Sequence, residues 1–136
     1  MANGKFSNGK FGVAMGRLKA ELLARIDSAV DRLLDVTEAI AAKRASPRVV
    51  DQFVGCATSI GANAWEADEA LSRKDFCKCL GISIKEANES RFWLRLAARR
   101  RWIAAERVDS LHQEIRELQK VLGAIVTNTR RNAGTT

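Results

Sequence analysis

The sequence predicts an all-α protein, a single domain that folds as an antiparallel, up-down-up-down bundle of four helices. Four segments place apolar residues at alternating steps of three and four, which gathers them on one side of a helix. Short connections between these segments force neighbouring helices to run in opposite directions. The 136 residues include one proline and only 6% aromatic residues, a composition that suits helices better than a β-sandwich.

The predicted helices cover residues 14–44, 47–71, 73–98 and 104–130. The apolar seam of the first helix consists of Leu22, Ile26, Ala29, Leu33, Val36 and Ile40. The second seam consists of Val50, Phe53, Ala57, Ile60, Ala64, Ala67 and Leu71. The fourth consists of Val108, Leu111, Ile115, Leu118, Leu122 and Ile125. The third helix is less regular, with an inner face of Phe76, Leu80, Ile84, Ala87, Leu94 and Ala98, and with Ser83 and Ser90 on its flank.

Two of the predicted helices begin with residues that commonly cap a helix N-terminus. Ser46 before Pro47 predicts the N-cap and first residue of the second helix, and Ser72 with Asp75 predicts a cap for the third. The second helix is rich in small residues, so we expect it to approach the third closely. Glycine inside a helix lowers helix stability by about 1 kcal/mol relative to alanine. We therefore expect that close packing against another helix requires Gly61.

The bundle is predicted to span residues 14–131, between a flexible basic tail at 1–13 and a flexible tail at 132–136. No apolar run approaches the ~20 residues of a membrane-spanning helix, and the pattern of the N-terminal residues does not predict a secretory signal. An odd number of cysteines, Cys56, Cys77 and Cys79, predicts reduced thiols in a cytoplasmic protein.

Positive charge concentrates at one end of the predicted bundle. Residues 43–48 hold Lys43, Arg44 and Arg48, while residues 91–107 hold six arginines against Glu106; together they carry +8, and the whole chain carries +7. The helix dipole favours cations at a C-terminus by about 0.3–1 kcal/mol each, which accounts for one or two arginines but not for six that repel one another. The excess indicates a counter-charge, unless the arginines only form a solvated face.

That counter-charge is either nucleic-acid phosphate or the acidic residues of a protein partner. The predicted phosphate contacts are Lys43, Arg44, Arg48, Arg95, Arg99, Arg100, Arg101 and Arg107, with Trp102 available for stacking. Binding of RNA or DNA through phosphates is expected to be mainly independent of sequence. In the alternative, the protein is a structural assembly or adaptor whose arginines meet an acidic stripe, Asp27, Asp31 and Asp35, of a neighbouring copy, or an acidic partner.

The sequence favours no catalytic, cofactor or metal chemistry. His112, the sole histidine, has no cysteine nearby in sequence. Cys77 and Cys79 are two residues apart, so they point to different sides of a helix. Glu86 and Glu89 lack the Glu-x-x-His pairs of di-iron bundles. We expect them to bond to arginines such as Arg91 or to backbone groups.

One stretch, Ser59–Ala97, resembles a known family. It is similar to the four-helix-bundle proteins encoded by intervening sequences within bacterial 23S ribosomal RNA genes. The matching elements are "SIGAN" at Ser59–Asn63, "EA" at Glu66–Ala67, "S-x-x-DF" at Ser72–Phe76 and "KEANES-x-x-WL" at Lys85–Leu94. The similarity extends more weakly over residues 47–131.

This resemblance implies an all-α bundle that assembles into a ring, typically of five subunits, and that has no enzymatic activity. It also implies a relation to the accessory variability protein of diversity-generating retroelements, a basic ring that works with a reverse transcriptase and nucleic acid. A homopentamer, with a reverse transcriptase as one candidate acidic partner, is therefore the expectation.

Overall fold

The computed structural model describes residues 17–134, which form four α-helices joined by short turns. The helices are α1 (Ala20–Ala42), α2 (Pro47–Asp68), α3 (Arg73–Arg99) and α4 (Ala105–Gly134). No strand occurs within this described part of the chain, so the all-α class and the four helices are confirmed. The tail predicted at 1–13 and the last two residues of the tail predicted at 132–136 lie outside the described residues.

The apolar seams close into one core. Its largest fully buried side chains come from all four helices and include Ile26, Phe53, Phe76, Leu94 and Ile115. One predicted seam residue does not belong to it, since Leu71 is 74% exposed. The second helix ends at Asp68, and Leu71 therefore lies in the connection, where helical spacing no longer determines which side it faces.

Helices α2 and α3 pack most closely, as their small residues predict. The Ser83 hydroxyl donates to the Ile60 carbonyl at 2.8 Å, and the Ser90 hydroxyl lies 3.2 Å from the Cys56 sulfur. Both serines are fully buried, on the side of α3 that meets α2. Short hydroxyl side chains fit here because each bonds to the neighbouring helix at the point of closest approach.

Gly61 packs against α1, whereas the small residues of α2 predict a close approach to α3. A Cβ at this position would lie 3.4 Å from Cγ2 of Val30, so the glycine admits α1 rather than α3. On the same side of the bundle, Nε1 of Trp65 donates to Asp27 at 2.9 Å. These contacts bring α1 against α2.

The ends of α1 and α4 differ from the prediction. Arg17 to Lys19 precede the helix, because the Leu18 amide donates to the Asp68 carboxylate at 2.6 Å and the Arg17 amide donates to the Asp68 carbonyl at 3.0 Å. These bonds hold the chain across the end of α2, and Lys19 is the extended N-cap of α1. At the other terminus α4 continues to Gly134, beyond the predicted end at 130.

The predicted N-caps are confirmed. The Ser46 hydroxyl accepts from the Arg48 amide at 3.2 Å, and the Ser72 hydroxyl accepts from the Asp75 amide at 3.0 Å. These bonds satisfy amides that have no partner within the first turn of a helix. Pro47 follows Ser46 as the first helical residue.

A polar seam links α1 to α4. Arg25 forms a two-pronged ion pair with Glu114, at 2.7 and 2.9 Å, and Arg32 donates to the Ser110 hydroxyl at 3.2 Å. By contrast, α2 and α3 each pack broadly against both of their sequence neighbours. The interface between α1 and α4 therefore depends more on polar contacts than the interfaces between the other neighbouring helices do.

Candidate nucleic-acid interface

The ends of α1 and α3 and the start of α4 meet at one end of the bundle, which we call the basic pole. A shallow pocket of about 450 Å³ lies there. It is lined by Lys43, Ala98, Arg101, Trp102, Ile103 and Ala104, among others. The prediction that the 43–48 and 91–107 segments come together at one end is supported by Lys43 and Arg101 sharing this pocket.

The end of α1 is a Schellman cap. The Arg44 amide donates to the Ala41 carbonyl and the Ala45 amide donates to the Ile40 carbonyl, each at 3.1 Å. Arg44 takes the left-handed conformation that this motif requires, with φ of 62°. Ala45 is buried, which completes the hydrophobic contact of the motif.

The end of α3 repeats that arrangement. The Arg101 amide donates to the Ala98 carbonyl at 3.0 Å and the Trp102 amide donates to the Ala97 carbonyl at 2.9 Å. Arg101 has φ of 61°. Arg44 and Arg101 are the two non-glycine residues with positive φ in the described chain, and both stand where glycine is the usual residue.

A left-handed arginine is unfavourable relative to glycine. The Cβ of an L-residue approaches the following carbonyl oxygen in this conformation, at a cost of about 1–2 kcal/mol. Helix capping explains the left-handed backbone of both residues but not the choice of arginine, because glycine adopts this conformation at lower cost. Strained conformations of this kind concentrate at functional positions.

The other predicted contact residues lie around these two caps. Arg48 lies in the first turn of α2, Arg99 ends α3, Arg100 is its C-cap, and Arg107 lies in the first turn of α4. All of them are exposed, as are Lys43, Arg44 and Arg101. Arg95 is exposed one helical turn before the end of α3, on the side of the bundle.

Trp102 differs from a freely exposed stacking platform. Its ring is half-buried and packs against the core. The Arg100 guanidinium carbon lies 5.8 Å from the ring centroid, within the range of a cation–π contact. The tryptophan therefore anchors the turn and positions Arg100, and only the rest of its ring surface is available to a base.

A second group of basic residues, the side cluster, lies between α3 and α4 and consists of Arg91, Arg95, His112 and Arg116. Arg91 is half-buried and donates to three neutral acceptors: His112 Nε2 at 3.4 Å, Asn88 Oδ1 at 3.4 Å and Gln119 Oε1 at 3.0 Å. Glu89, expected to bond to an arginine or to a backbone group, accepts instead from Trp93 Nε1 at 3.1 Å.

Electrostatics within the side cluster are repulsive. Burial lowers the pKa of Arg91 below its ordinary value, and the nearby charges of Arg116 and Arg95 lower it further. Burial also lowers the pKa of His112, followed by the charges of Arg91, Arg95 and Arg116, with Asp109 acting in the opposite direction. Sequence reasoning missed Arg116 as a member, since only the register between α3 and α4 places it there.

The acidic stripe of α1 lies on the α1/α2 side. A shallow groove of about 440 Å³ runs between these helices and is lined by Asp27, Asp31, Gly61 and Trp65, among others. The Trp65 side chain is half exposed. Asp31 and Asp35 are exposed as well, whereas Asp68 at the end of α2 is buried and accepts from the Leu18 amide.

All three cysteines are free thiols. Burial raises the pKa of Cys56 to about 11, against the opposing hydrogen bond from Ser90. Burial likewise raises the pKa values of Cys77 and Cys79. Within residues 17–134, no three His, Cys, Asp or Glu side chains come together in a way that could hold a metal ion.

One family matches most of the chain. Residues 23–124 match the family described as 23S rRNA-intervening sequence protein. The chain belongs to this family. The match includes α2, α3 and the basic pole.

A solved structure supports the same assignment. The chain is similar to a protein of unknown function from the S23 ribosomal protein family of Bacteroides thetaiotaomicron, with a TM-score of 0.73 and 31% identity over 77% of this chain and 97% of that one. No curated protein matches the chain. Among the described residues of this family member, no helix is long and apolar enough to cross a membrane.

Proposed function

We propose that this family member is a non-enzymatic, self-associating bundle that binds RNA or DNA through the phosphates that contact its basic pole. The observation that carries the proposal is the pair of left-handed arginines, Arg44 and Arg101, in the C-terminal caps of α1 and α3. Glycine would relieve the backbone cost at both sites. An arginine there is favoured only if its side chain contributes something that glycine cannot.

Phosphate is the partner that best matches these side chains. A guanidinium presents donors in a planar fork that fits phosphate oxygens two at a time. The caps fix the backbone of both arginines, so their side chains leave the pole from defined points, with Lys43 and Arg100 beside them. Contacts of this kind position a nucleic acid without reading its bases.

Self-association is proposed through the two long sides of the bundle. The α1/α2 side presents Asp31, Asp35 and half-exposed Trp65, while the α3/α4 side presents Arg95 and Arg116. Arginine suits both a carboxylate and an aromatic face. We infer that neighbouring helices run antiparallel, which sets these sides apart and allows head-to-tail contacts that close into a ring, with five subunits as the expected number.

An adaptor is the second candidate. In that case the pole arginines bind an acidic protein, such as a reverse transcriptase, rather than nucleic acid. The feature in its favour is Trp102, because its half-buried position and its contact with Arg100 leave little ring surface for stacked bases. In both cases we expect a cytoplasmic protein.

Binding to single-stranded RNA and DNA of about 16 nucleotides, measured by fluorescence anisotropy from about 50 to about 200 mM salt, tests the proposal. Log K should fall by roughly 0.7 per phosphate contact per decade of salt on these single strands. Changing Arg99, Arg100 and Arg101 to glutamine should reduce both the affinity and this slope, whatever the sequence.

The matched control changes Lys85, Lys120 and Arg131 to glutamine. These residues are exposed and lie away from the basic pole. Their replacement removes the same charge as the change at the pole does. A loss confined to the pole variant supports the proposal. If the wild type shows no salt-sensitive affinity, or if both triple variants lose affinity equally, phosphate binding at the pole is excluded. Capture of an acidic protein by the wild type but not by the pole variant would then favour the adaptor.

A further inference from the structure

Phe92 is an exposed aromatic residue on α3, two helical turns before the basic pole. It is 51% exposed, and among the described residues it shares this property with two other large apolar residues, Trp65 and Leu71. Trp65 donates a hydrogen bond to Asp27, and Leu71 lies in the connection between α2 and α3. Phe92 lies inside a regular helix and has no polar atom on its side chain. Neither a hydrogen bond nor a turn therefore accounts for its position at the surface.

The surface of α3 beside Phe92 is basic. Arg95 and Arg99 lie three and seven residues further on, which places them on the same side of the helix, and both are exposed. At a rise of about 1.5 Å per residue, they lie about 4.5 Å and about 10.5 Å from Phe92 along the helix axis. The nearest carboxylate in sequence, Glu89, accepts a hydrogen bond from Trp93. One aromatic residue and two cations thus form a row that leads to the basic pole.

Trp93 supports the Phe92 ring without enclosing it. The two ring centroids lie 4.9 Å apart and the ring planes meet at 71°, which is an edge-to-face pair. A single neighbour in this arrangement covers at most one face of the Phe92 ring. Trp93 is itself half-buried against the core, and its Nε1 donates to Glu89 at 3.1 Å. The Phe92 ring is therefore held against a fixed support, with a face left for another aromatic group.

We propose that Phe92 is the base-stacking residue of the nucleic-acid interface, with phosphates of the same strand on Arg95 and Arg99. Proteins that bind single strands combine a basic surface with aromatic side chains on which bases stack, and this combination tolerates any sequence because every base has a face. The bound nucleic acid is single-stranded at this point, since the bases of a duplex already stack on one another. The inference rests on the proposed binding of RNA or DNA at the basic pole and specifies the form that is bound.

Phe92→Ala tests the inference by fluorescence anisotropy with single strands of about 16 nucleotides, both RNA and DNA. Affinity should fall at least about fivefold, which corresponds to the loss of one stacked base. The dependence of log K on salt should stay at the wild-type slope, because the variant removes no charge. Changing Arg99, Arg100 and Arg101 to glutamine should instead reduce that slope.

Two further variants separate stacking from general apolar contact. Phe92→Trp keeps an aromatic ring and should bind at least as tightly as the wild type does. Phe92→Leu keeps an apolar side chain without an aromatic face and should bind as weakly as Phe92→Ala does. Leu71→Ala is the control, because it removes another exposed apolar side chain at the opposite end of α3, and it should bind as the wild type does.

An abasic DNA strand of the same length isolates the contribution of the bases. It keeps the phosphates, so the wild type and Phe92→Ala should bind it equally. A duplex of the same length should likewise bind equally to both proteins, because its bases are not free to stack on a side chain.

Three outcomes would overturn the inference. Unchanged affinity of Phe92→Ala for the base-bearing strand, or an equal loss on the abasic strand, would exclude stacking on Phe92 and leave phosphate binding at the pole intact. A lower mass of Phe92→Ala in light scattering, with unchanged affinity for the strand, would place Phe92 in a contact between subunits. A wild type without salt-sensitive affinity would overturn both this inference and the proposed function, so the two failures are distinguishable.

Discussion

Arg91 donates from Nε to Nε2 of His112 across 3.4 Å, so the histidine must be neutral at that nitrogen to accept the bond. Protonation would remove the acceptor and add a charge facing Arg91 and Arg95 of α3 and Arg116 of α4, and the charge of Asp109 would offset this repulsion only in part. The side cluster therefore couples folding to the protonation of one histidine.

We expect that coupling to appear as acid sensitivity. The pKa of His112 is lowered in the folded chain, so the unfolded chain, with an ordinary pKa of about 6.5, binds more protons near that pH. Stability from this group is present above that pH and is lost as the pH falls through the lower folded value. Urea unfolding from about pH 7.5 to about pH 5 measures the loss.

His112→Gln is the control, because glutamine keeps an acceptor for Arg91 but does not titrate. It should lose less stability over this pH range than the wild type does. Equal losses in the two proteins would show that the histidine is not part of a coupled cluster.

The two left-handed arginines predict a conflict between stability and binding. Changing both Arg44 and Arg101 to glycine should stabilise the fold by about 0.5 kcal/mol per site, because relief of a 1–2 kcal/mol backbone cost exceeds the added entropy of the unfolded chain. Affinity for RNA or DNA should fall in the same variant. Unfolding in urea and fluorescence anisotropy measure the two effects.

Lysine at both positions separates charge from backbone conformation. It keeps both the charge and the Cβ, so stability should stay at the wild-type value while binding falls only in part. A glycine variant that is less stable than the wild type would contradict the left-handed assignment of these residues.

How far the sequence predicts this fold depends on whether the determining contacts are local. The caps at Ser46 and Ser72 were predictable because the bonding amides lie two or three residues away. The start of α1 was not predictable, since it depends on the bond from the Leu18 amide to Asp68, fifty positions along the chain. Leu71 fits the apolar spacing of α2, but α2 ends at Asp68, so that spacing no longer predicts which side Leu71 faces.

The same distinction applies to the candidate site. The segments at the basic pole could be grouped from helix order alone, and the structure brings Lys43 and Arg101 to one pocket. The left-handed conformations of Arg44 and Arg101 carry no sequence signal, because glycine and asparagine usually mark that position. The partners of Arg91 depend on the register between α3 and α4, which apolar spacing does not determine to the residue.

The ion pair between Arg25 and Glu114 offers a test of the polar seam between α1 and α4. A double-mutant cycle with Arg25→Gln and Glu114→Gln should give a coupling of about 0.5–1 kcal/mol, since both side chains are partly exposed and screened by solvent. The hydrogen bond from Arg25 lowers the pKa of Glu114 from its ordinary value of 4.5. The coupling should therefore hold at neutral pH and disappear as the pH falls through that lowered value.

The buried contact at Ser83 should tolerate little added volume. Ser83→Val adds a methyl group and removes the hydrogen bond to Ile60 where α2 and α3 pack most closely, at an expected cost of about 1–3 kcal/mol. Ser28→Val is the control, because Ser28 is exposed on α1. Similar losses of stability in urea for both variants would mean that α2 and α3 do not pack as closely as the structure shows.

Assembly gives the last prediction. Light scattering of the purified protein at moderate salt should give a mass several times 15.0 kDa, with a pentamer expected. If the acidic α1 side meets the side cluster of the next copy, Asp31→Arg with Asp35→Arg should lower that mass, because like charges then face each other. Arg95→Asp with Arg116→Asp should do the same, and mixing the two variants should restore assembly.

Changing Arg99, Arg100 and Arg101 to glutamine should leave the mass unchanged, since the basic pole lies outside the proposed contact. A monomeric wild type would exclude self-association, and two charge variants that stay fully assembled would exclude this pair of surfaces.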